Sequence, residues 1–384
     1  MFGRRITLFK LFGFAVRIDA SWLIIAALVT WTLAAGVFPY YYPGLPGSHY
    51  LWMGMAGAVL LFASIIVHEM SHSLVARRYG IPMKGITLFV FGGIAEMDEE
   101  PADPNSEFMM AIAGPVASIV TGFMFYGIEQ AVRSPAPVEA TGVLAYVSRI
   151  NWLLAVFNLI PAFPLDGGRV LRSLLWHHHH NLRRATRTAA RIGGIFGGLM
   201  IAYAVAQLFF GDFVGAVWWF LIGMFLRSAA LSSYEHVVVR AVLQGEPVRR
   251  FMHREPDTVT PDISIEQFVN DYIYRYHHRM FPVMAGPDRL AGCVSTEEVK
   301  NVPREEWPAH RVGEIVKPCS SENTITPETD SIEALRLMQR SHNTRLMVVE
   351  NGRVVGIVAL KDLLGFLNAK LSLEGESPAA LHTV

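Results

Sequence analysis

Two histidines and a glutamate stand at the end of an uncharged apolar stretch. His68 and His72 are four residues apart, so on a helix they share one face and both imidazoles can reach one metal ion. Glu69 lies beside them and can accept a proton from a water on that metal. His-Glu-Met-Ser-His is the H-E-x-x-H arrangement of zinc hydrolases. The alternative is a pair of hydrogen-bonded core histidines, but ionisable residues at membrane depth are costly and usually functional.

A third ligand is required, because a catalytic zinc is held by three protein ligands and a water. Asp166 is the only acid within residues 158–169, where two prolines and two glycines interrupt the helix pattern. We therefore take Asp166 as the candidate third ligand, while noting that it could instead cap the following helix. Asn158 could donate a hydrogen bond to a developing oxyanion, or bond across helices.

Membrane spans must position these residues. Only 17% of the chain is charged and 52% is hydrophobic, whereas a soluble globular protein carries about 25% charge. The net charge is zero, which gives no reason to expect a nucleic-acid partner. Apolar runs predict six membrane-spanning helices, at about 20–38, 51–79, 107–131, 142–163, 192–210 and 213–231.

The charge pattern predicts the orientation in the cell membrane. Basic residues precede the first span and none lies in the loop 40–47, so the N-terminus is expected in the cytosol. His68 lies about 25 Å along the second span at 1.5 Å per residue, which places the metal inside the bilayer near its cytosolic side. Residues 1–19, with alternating apolar side chains, are expected to lie along the membrane surface.

Two short β-prone runs flank Gly92-Gly93 and predict a β-hairpin over residues 86–97. Non-helical backbone at membrane depth is tolerated only against protein or a water-filled cavity. The hairpin is therefore either an ordinary cytosolic one or a membrane-embedded edge that pairs with an extended peptide. The candidate substrate-binding residues along that edge are Gly92, Gly93, Ile94, Ala95 and Glu96.

These motifs resemble the site-2 protease family of intramembrane metalloproteases. The resemblance rests on His-Glu-Met-Ser-His, on Phe91-Gly92-Gly93 and on the run from Asn158 to Asp166-Gly-Gly, and it covers about residues 1–230. It implies cleavage of transmembrane helices of other proteins within the lipid bilayer, with the hairpin binding an unwound substrate helix. It also implies one zinc ion per chain and these roles: zinc ligands His68, His72 and Asp166, water-activating Glu69, and Asn158 assisting the tetrahedral intermediate.

A channel or transporter for divalent cations is the alternative function. Imidazoles and a carboxylate would also suit an ion path. However, Glu69 is unnecessary for simple passage, and the first three spans show no repeat relation to the last three, which many transporters have.

The remainder of the chain is more charged, lacks long apolar runs and repeats itself at a spacing of about 65 residues. Val259-Thr260-Pro261-Asp262 recurs as Ile325-Thr326-Pro327-Glu328. The units, about 245–306 and 312–371, resemble a tandem of cystathionine-β-synthase-type (CBS) domains, a soluble α+β fold. We therefore predict a transmembrane protease domain over 1–232, a cytosolic CBS pair over 245–371 and a disordered tail over 372–384.

The resemblance to CBS pairs implies a homodimer and an adenine nucleotide bound through Gly-x-x-Ser/Thr-x-x-Asp. The first repeat has Ser295 but carries Glu298 at the acid position, and the second has Asp362 but carries Ala359 at the hydroxyl position. Neither motif is complete, so a structural module and a ligand sensor are both open, with Ser295 and Asp362 as candidate nucleotide contacts. The run His177-His178-His179-His180 could bind metal adventitiously or be a tag-like insertion.

Overall fold

The computed structural model describes residues 6–89, 92–97, 101–134, 136–286, 289–341 and 343–373. The chain divides into two compact units, Met1–Tyr234 and Glu235–Val384. Of the predicted disordered tail, residues 374–384 lie outside the described part, and the last helix ends at Leu373.

Long helices make up most of the first unit. Within the described residues, six helices are long and apolar enough to cross a membrane, which confirms a multi-pass membrane protein. A shorter amphipathic helix lies between the fourth and fifth of them. The helices are α1 (Ala20–Tyr41, with a π-helical turn at Leu33–Val37), α2 (Gly47–Arg78), α3 (Pro104–Val132), α4 (Val138–Asn158), α5 (Asp166–His179), α6 (Leu182–Phe209) and α7 (Phe213–Leu243).

The fourth span is shorter at its end than predicted. It was expected to reach residue 163 but stops at Asn158. Pro161 lacks a backbone donor and disfavours helical geometry at the residue before it, so a helix cannot continue through this segment. The residues between α4 and α5 therefore form a loop, which brings the start of α5 back against the bundle.

Small residues let the spans pack closely. A Cβ added at Gly54 of α2 would lie 2.8 Å from the Thr30 carbonyl oxygen of α1. One added at Gly122 of α3 would lie 2.4 Å from Nε1 of Trp152 on α4. Such close approach is the usual packing device between helices in a bilayer, where burial of apolar surface gives little driving force.

The predicted hairpin is half of a four-stranded sheet with strand order β1-β2-β3-β4. β3 and β4 are antiparallel, with Leu88 opposite Gly93, while β2 and β3 are parallel. The described part of residues 1–19 forms two of these strands, since alternating apolar residues are also the period of a strand. That this segment lies along the membrane surface stays a prediction. Phe91 lies outside the described residues. The strands are β1 (Ile6–Leu11), β2 (Phe14–Ile18), β3 (Met83–Phe89) and β4 (Gly92–Met97).

The second unit has the α+β architecture expected of a CBS pair. Its sheets have the orders β5-β11-β10-β9 and β6-β7-β8, and the hairpins β6–β7 and β10–β11 are the two repeats of one motif. The strands are β5 (His253–Arg254), β6 (Met280–Gly286), β7 (Arg289–Ser295), β8 (Lys317–Pro318), β9 (Thr324–Ile325), β10 (Arg345–Glu350) and β11 (Arg353–Ala359). The helices are α8 (Ile265–Gln267, continued by Phe268–Ile273 and Tyr274–Tyr276), α9 (Thr296–Lys300), α10 (Ser331–Ser341) and α11 (Leu360–Leu373), with 3-10 turns at Val248–Arg250, Arg304–Glu306 and Val312–Glu314.

Candidate metal centre

The two histidines and the aspartate meet at one point. Oδ2 of Asp166 lies 3.0 Å from Nε2 of His68 and 3.2 Å from Nε2 of His72, and the two Nε2 atoms are 3.2 Å apart. Both imidazoles are buried and the carboxylate is 13% exposed. Among the described residues this is the one group of three or more His, Cys, Asp or Glu whose ligand atoms lie close enough to hold a metal ion.

Helix α3 supports both imidazoles from behind. Nδ1 of His72 lies 2.6 Å from the Met110 carbonyl oxygen, and Nδ1 of His68 lies 2.9 Å from Oγ of Ser118. A carbonyl can only accept, so Nδ1 of His72 carries the proton and the lone pair of Nε2 is left for a metal ion. This arrangement of a second hydrogen bond behind a ligating imidazole is typical of zinc sites.

A glycine leaves the space in front of the two imidazoles open. A Cβ added at Gly114 of α3 would lie 2.2 Å from Nε2 of His72 and 2.5 Å from Nε2 of His68. Any side chain at this position would therefore occupy the place that a metal ion needs. Two imidazole nitrogens and one carboxylate oxygen are the donors of a catalytic zinc, so the residues present fit that ion.

Asp166 is the first residue of α5, and the residue before it, Leu165, occupies the N-cap position without a capping side chain. The alternative that Asp166 is an N-cap is therefore wrong, and its carboxylate is directed to the histidines instead. The following Gly167 and Gly168 lie directly against the α4–α5 loop. A Cβ added at either would be 2.3 Å from a backbone atom of Leu159 or Phe163, respectively.

A buried ion pair also joins α5 to α3. Glu107, in the first turn of α3, is fully buried and accepts a hydrogen bond of 2.6 Å from Nε of Arg172 on α5, as well as a second contact from Nη2. The Arg172 guanidinium in turn lies over the Phe163 ring, 5.1 Å from its centroid. Sequence reasoning missed this pair, because nothing in the spacing of Glu107 and Arg172 connects them.

The strand β4 passes beside the predicted base. A Cβ added at Gly93 would lie 2.6 Å from Cγ of Glu69, so the β4 backbone contacts this side chain closely. β4 is the outer strand of the described sheet, as a substrate-pairing edge requires. Asn158, half-buried, is the last residue of α4, eight residues before Asp166. The histidine run lies at the end of α5, outside the three-residue donor group.

The candidate nucleotide residues of the second unit form hydrogen bonds at the starts of helices. Ser295 donates to Glu298 Oε2 through both its N–H and its hydroxyl group, and Lys317 Nζ lies 2.7 Å from Glu298 Oε1. Burial opposes ionisation of Glu298, but the hydrogen bonds from Lys317 and Ser295 outweigh it and hold the pKa of this carboxyl below its usual value. Asp362 Oδ2 accepts a 3.1 Å hydrogen bond from the Ala359 N–H.

Two family profiles match this chain. The profile of peptidase family M50 matches residues 56–133 and 127–201, and the CBS domain profile matches 248–305 and 312–369. The Rip3 protein of Mycobacterium tuberculosis is 33% identical over 362 residues, which is 93% of this chain and 91% of that protein. The zinc metalloprotease MJ0392 of Methanocaldococcus jannaschii is 32% identical over 306 residues, 80% of this chain and 83% of that protein. A solved site-2 protease from the same archaeon is 27% identical, covers 60% of this chain and 95% of that one, and has a TM-score of 0.43.

Proposed function

Because the chain belongs to peptidase family M50, the site-2 protease family of zinc metalloproteases, we propose that it hydrolyses peptide bonds within or beside transmembrane helices of other membrane proteins. The observation that carries this proposal is the donor group of His68, His72 and Asp166, whose two histidines are buried on a helix long and apolar enough to span a bilayer. Membership of an enzyme family also sets aside the channel or transporter alternative.

We assign one zinc ion per chain to these three donors. A bound zinc supplies Lewis-acid polarisation of the scissile carbonyl and acidifies water. Elemental analysis of His68→Ala and Asp166→Ala, each after removal of residues 177–180, should show loss of most of the zinc. Full zinc retention in both variants would refute the ligand assignment.

The chain's own residues supply the remaining steps. Glu69 takes a proton from the attacking water and returns it to the leaving amine, a role worth about 10²–10⁴ in rate. Asn158 donates a hydrogen bond to the oxyanion that forms on the former carbonyl. A helical carbonyl is hydrogen-bonded within its own helix, so the substrate must unwind before attack.

We propose that the unwound substrate pairs with β4 along Gly92–Glu96. An extended peptide in a bilayer exposes N–H and C=O groups, each of which costs several kcal/mol if left without a partner. An edge strand supplies those partners without reading side chains. Since β4 contacts Glu69 at Gly93, a peptide paired with β4 would run past the base and the donor group.

The decisive experiment combines the purified full-length protein with single-span membrane substrates in proteoliposomes. Mass spectrometry should find cleavage within or beside the span, abolished by a chelator and restored by zinc. Glu69→Gln is the matched control, because it is isosteric but cannot take the proton, and it should retain zinc. Cleavage confined to soluble segments of every substrate, or near-normal turnover by Glu69→Gln, would refute the proposal.

For the CBS pair we propose a cytosolic, dimerising module within residues 245–371 that modulates the protease domain over 1–232. If it binds an adenine nucleotide, the second repeat with Asp362 is the better candidate, because Glu298 of the first repeat already bonds Ser295 and Lys317. In the second repeat, Nη1 of Arg345 is buried without a hydrogen-bond partner among the described residues. Burial and the nearby charge of Arg279 lower the pKa of Arg345 by more than the Asp362 carboxylate raises it, so a second anion there would be stabilising.

Three measurements test these points. Calorimetric titration with AMP and ATP should show binding to the wild-type protein that Asp362→Ala weakens, while unchanged affinity would remove Asp362 from the site. A truncation ending near Ser232 should be monomeric in detergent, and a persistent dimer would contradict dimerisation through the CBS pair. Reporter fusions at both termini should locate them in the cytosol.

A further inference from the structure

An arginine on the fourth membrane span has no counter-charge among the residues that the structure describes. Arg149 is eleven residues into α4, about 16 Å from its start at 1.5 Å per residue. Its side chain is exposed, and within the described residues it forms no ion pair with a carboxylate. Glu139, an acid of the same helix, is bonded to Nδ1 of His49 at 2.6 Å. A charged side chain on a span either faces a partner within the protein or reaches the membrane surface, where the phosphates of lipids are within its reach.

The guanidinium is directed to the end of the first span. Its Cζ lies 5.8 Å from the ring centroid of Tyr41, the last residue of α1, and Tyr41 itself is 58% exposed. Tyrosines concentrate at the level of lipid headgroups. The charge of Arg149 therefore lies at headgroup depth, although its Cα lies near the middle of α4.

A cavity opens beside this pair. Its volume is about 180 Å³, and its lining includes Phe38, Tyr41, Tyr42, Tyr146, Arg149 and Leu153. At about 30 Å³ per water molecule, it has room for roughly six waters, which suits a phosphate group and its adjoining ester but not a peptide helix. One cation at an otherwise aromatic and aliphatic wall matches an amphiphile with a single anionic group.

We propose that this cavity binds a glycerophospholipid, with the phosphate on Arg149 and the first acyl carbons against the aromatic and aliphatic wall. A guanidinium bonds a phosphate through two parallel N–H groups, and such charge-assisted bonds are stronger than neutral ones. The lipid would join the end of α1 to the middle of α4, two elements that already pack through Phe38 and Tyr146. The proposal does not depend on the proposed cleavage reaction.

Native mass spectrometry of the delipidated full-length protein in a neutral detergent tests it. Titration with phosphatidylglycerol should load one lipid per wild-type chain, and Arg149→Gln should weaken this binding about tenfold. Arg149→Lys should retain part of the affinity, because it keeps the charge but loses the fork. Arg133→Gln is the matched control, because Arg133 is also exposed beside a span end but bonds only Gln130 among the described residues.

Two further ligands distinguish the source of the phosphate. Diacylglycerol with the same acyl chains lacks the phosphate and should not show the difference between wild type and Arg149→Gln. Inorganic phosphate at millimolar concentration should not raise the melting temperature. The assignment would be overturned if wild type and Arg149→Gln loaded phosphatidylglycerol equally, or if Arg133→Gln lost as much lipid affinity as Arg149→Gln. A rise in melting temperature with inorganic phosphate alone would also overturn it.

Discussion

Breaking the Glu107–Arg172 ion pair should weaken both the fold and the metal site. Glu107→Gln leaves the Arg172 guanidinium buried at 4% exposure with no carboxylate on its Nε. Removing one partner of a buried pair costs about 3–5 kcal/mol, because the remaining charge cannot regain water. The Gln amide oxygen can still accept one hydrogen bond, so we expect the lower end of that range.

The same change should loosen the third ligand. Arg172 lies six residues after Asp166, about 9 Å along α5 at 1.5 Å per residue. Nε of Arg169, three residues after Asp166, lies 3.9 Å from the same Glu107 oxygen, so Glu107 is the charged partner of this part of α5 on α3. Met110, which supports the His72 imidazole, is one turn from Glu107 on α3. Without the ion pair to Glu107, α5 would move relative to α3, and Asp166 would shift relative to both imidazoles.

Two assays separate these effects. Thermal unfolding in detergent reports the loss of stability, and the rate of zinc transfer to a chelator should rise at least tenfold in Glu107→Gln. Cobalt in place of zinc should show an altered visible spectrum, since that spectrum depends on the ligand geometry. Ser148→Ala is the control. It removes a 2.9 Å hydrogen bond to the Gly122 carbonyl between α4 and α3, worth about 0.5–1.5 kcal/mol, and should leave chelation unchanged.

The double variant Glu107→Leu with Arg172→Met completes the test. Replacing a buried pair by apolar residues of similar volume is often neutral for stability, so the melting temperature should largely recover. If the ion pair positions Asp166, zinc release should remain fast in the double variant although its melting temperature has recovered. Wild-type chelation rates and cobalt spectra in both variants would refute the reasoning.

Three other outcomes are expected. Gly114→Ala should abolish zinc binding, because the added Cβ would lie 2.2 Å from a ligand nitrogen, whereas Gly127→Ala on the same helix meets nothing within 4 Å and should retain zinc. Proline at Ile94 or Ala95 removes one backbone N–H donor from β4. Because the N–H direction alternates along a strand, one of the two variants should lose most cleavage with zinc retained, and the other should be milder. Wild-type cleavage by both variants would exclude β4 as the substrate strand. Folding lowers the pKa of Glu298, so its contribution to stability is present above the unfolded-state pKa of about 4.3 and is lost as pH falls through the lower folded value. Glu298→Gln should remove this part of the acid destabilisation of the CBS pair, and circular dichroism against pH measures it.

The local chemistry and the division of the chain could be predicted from the sequence. Spacing of four residues fixes two histidines on one helix face, and uncharged runs longer than a bilayer is thick must be spans. The strand and turn segments that recur along the second unit predict its paired repeats, because each repeat carries the same sequence pattern. Each of these signals is a spacing, a run or a recurrence along the chain itself, so no knowledge of long-range contacts is needed.

Only the tertiary structure decided what surrounds those residues. Helices far apart in the chain pack so that α3 supplies Met110 and Ser118 to the imidazoles. The same packing places Gly114 in front of the imidazoles and Glu107 beside Arg172. The sequence left Asp166 as either a metal ligand or a helix cap, because both uses suit a residue at a helix start, and only the packing of α5 brings its carboxylate to the histidines. Sequence periodicity predicts which face of a helix is buried. The element that covers that face depends on packing between distant segments, and no periodic pattern predicts it.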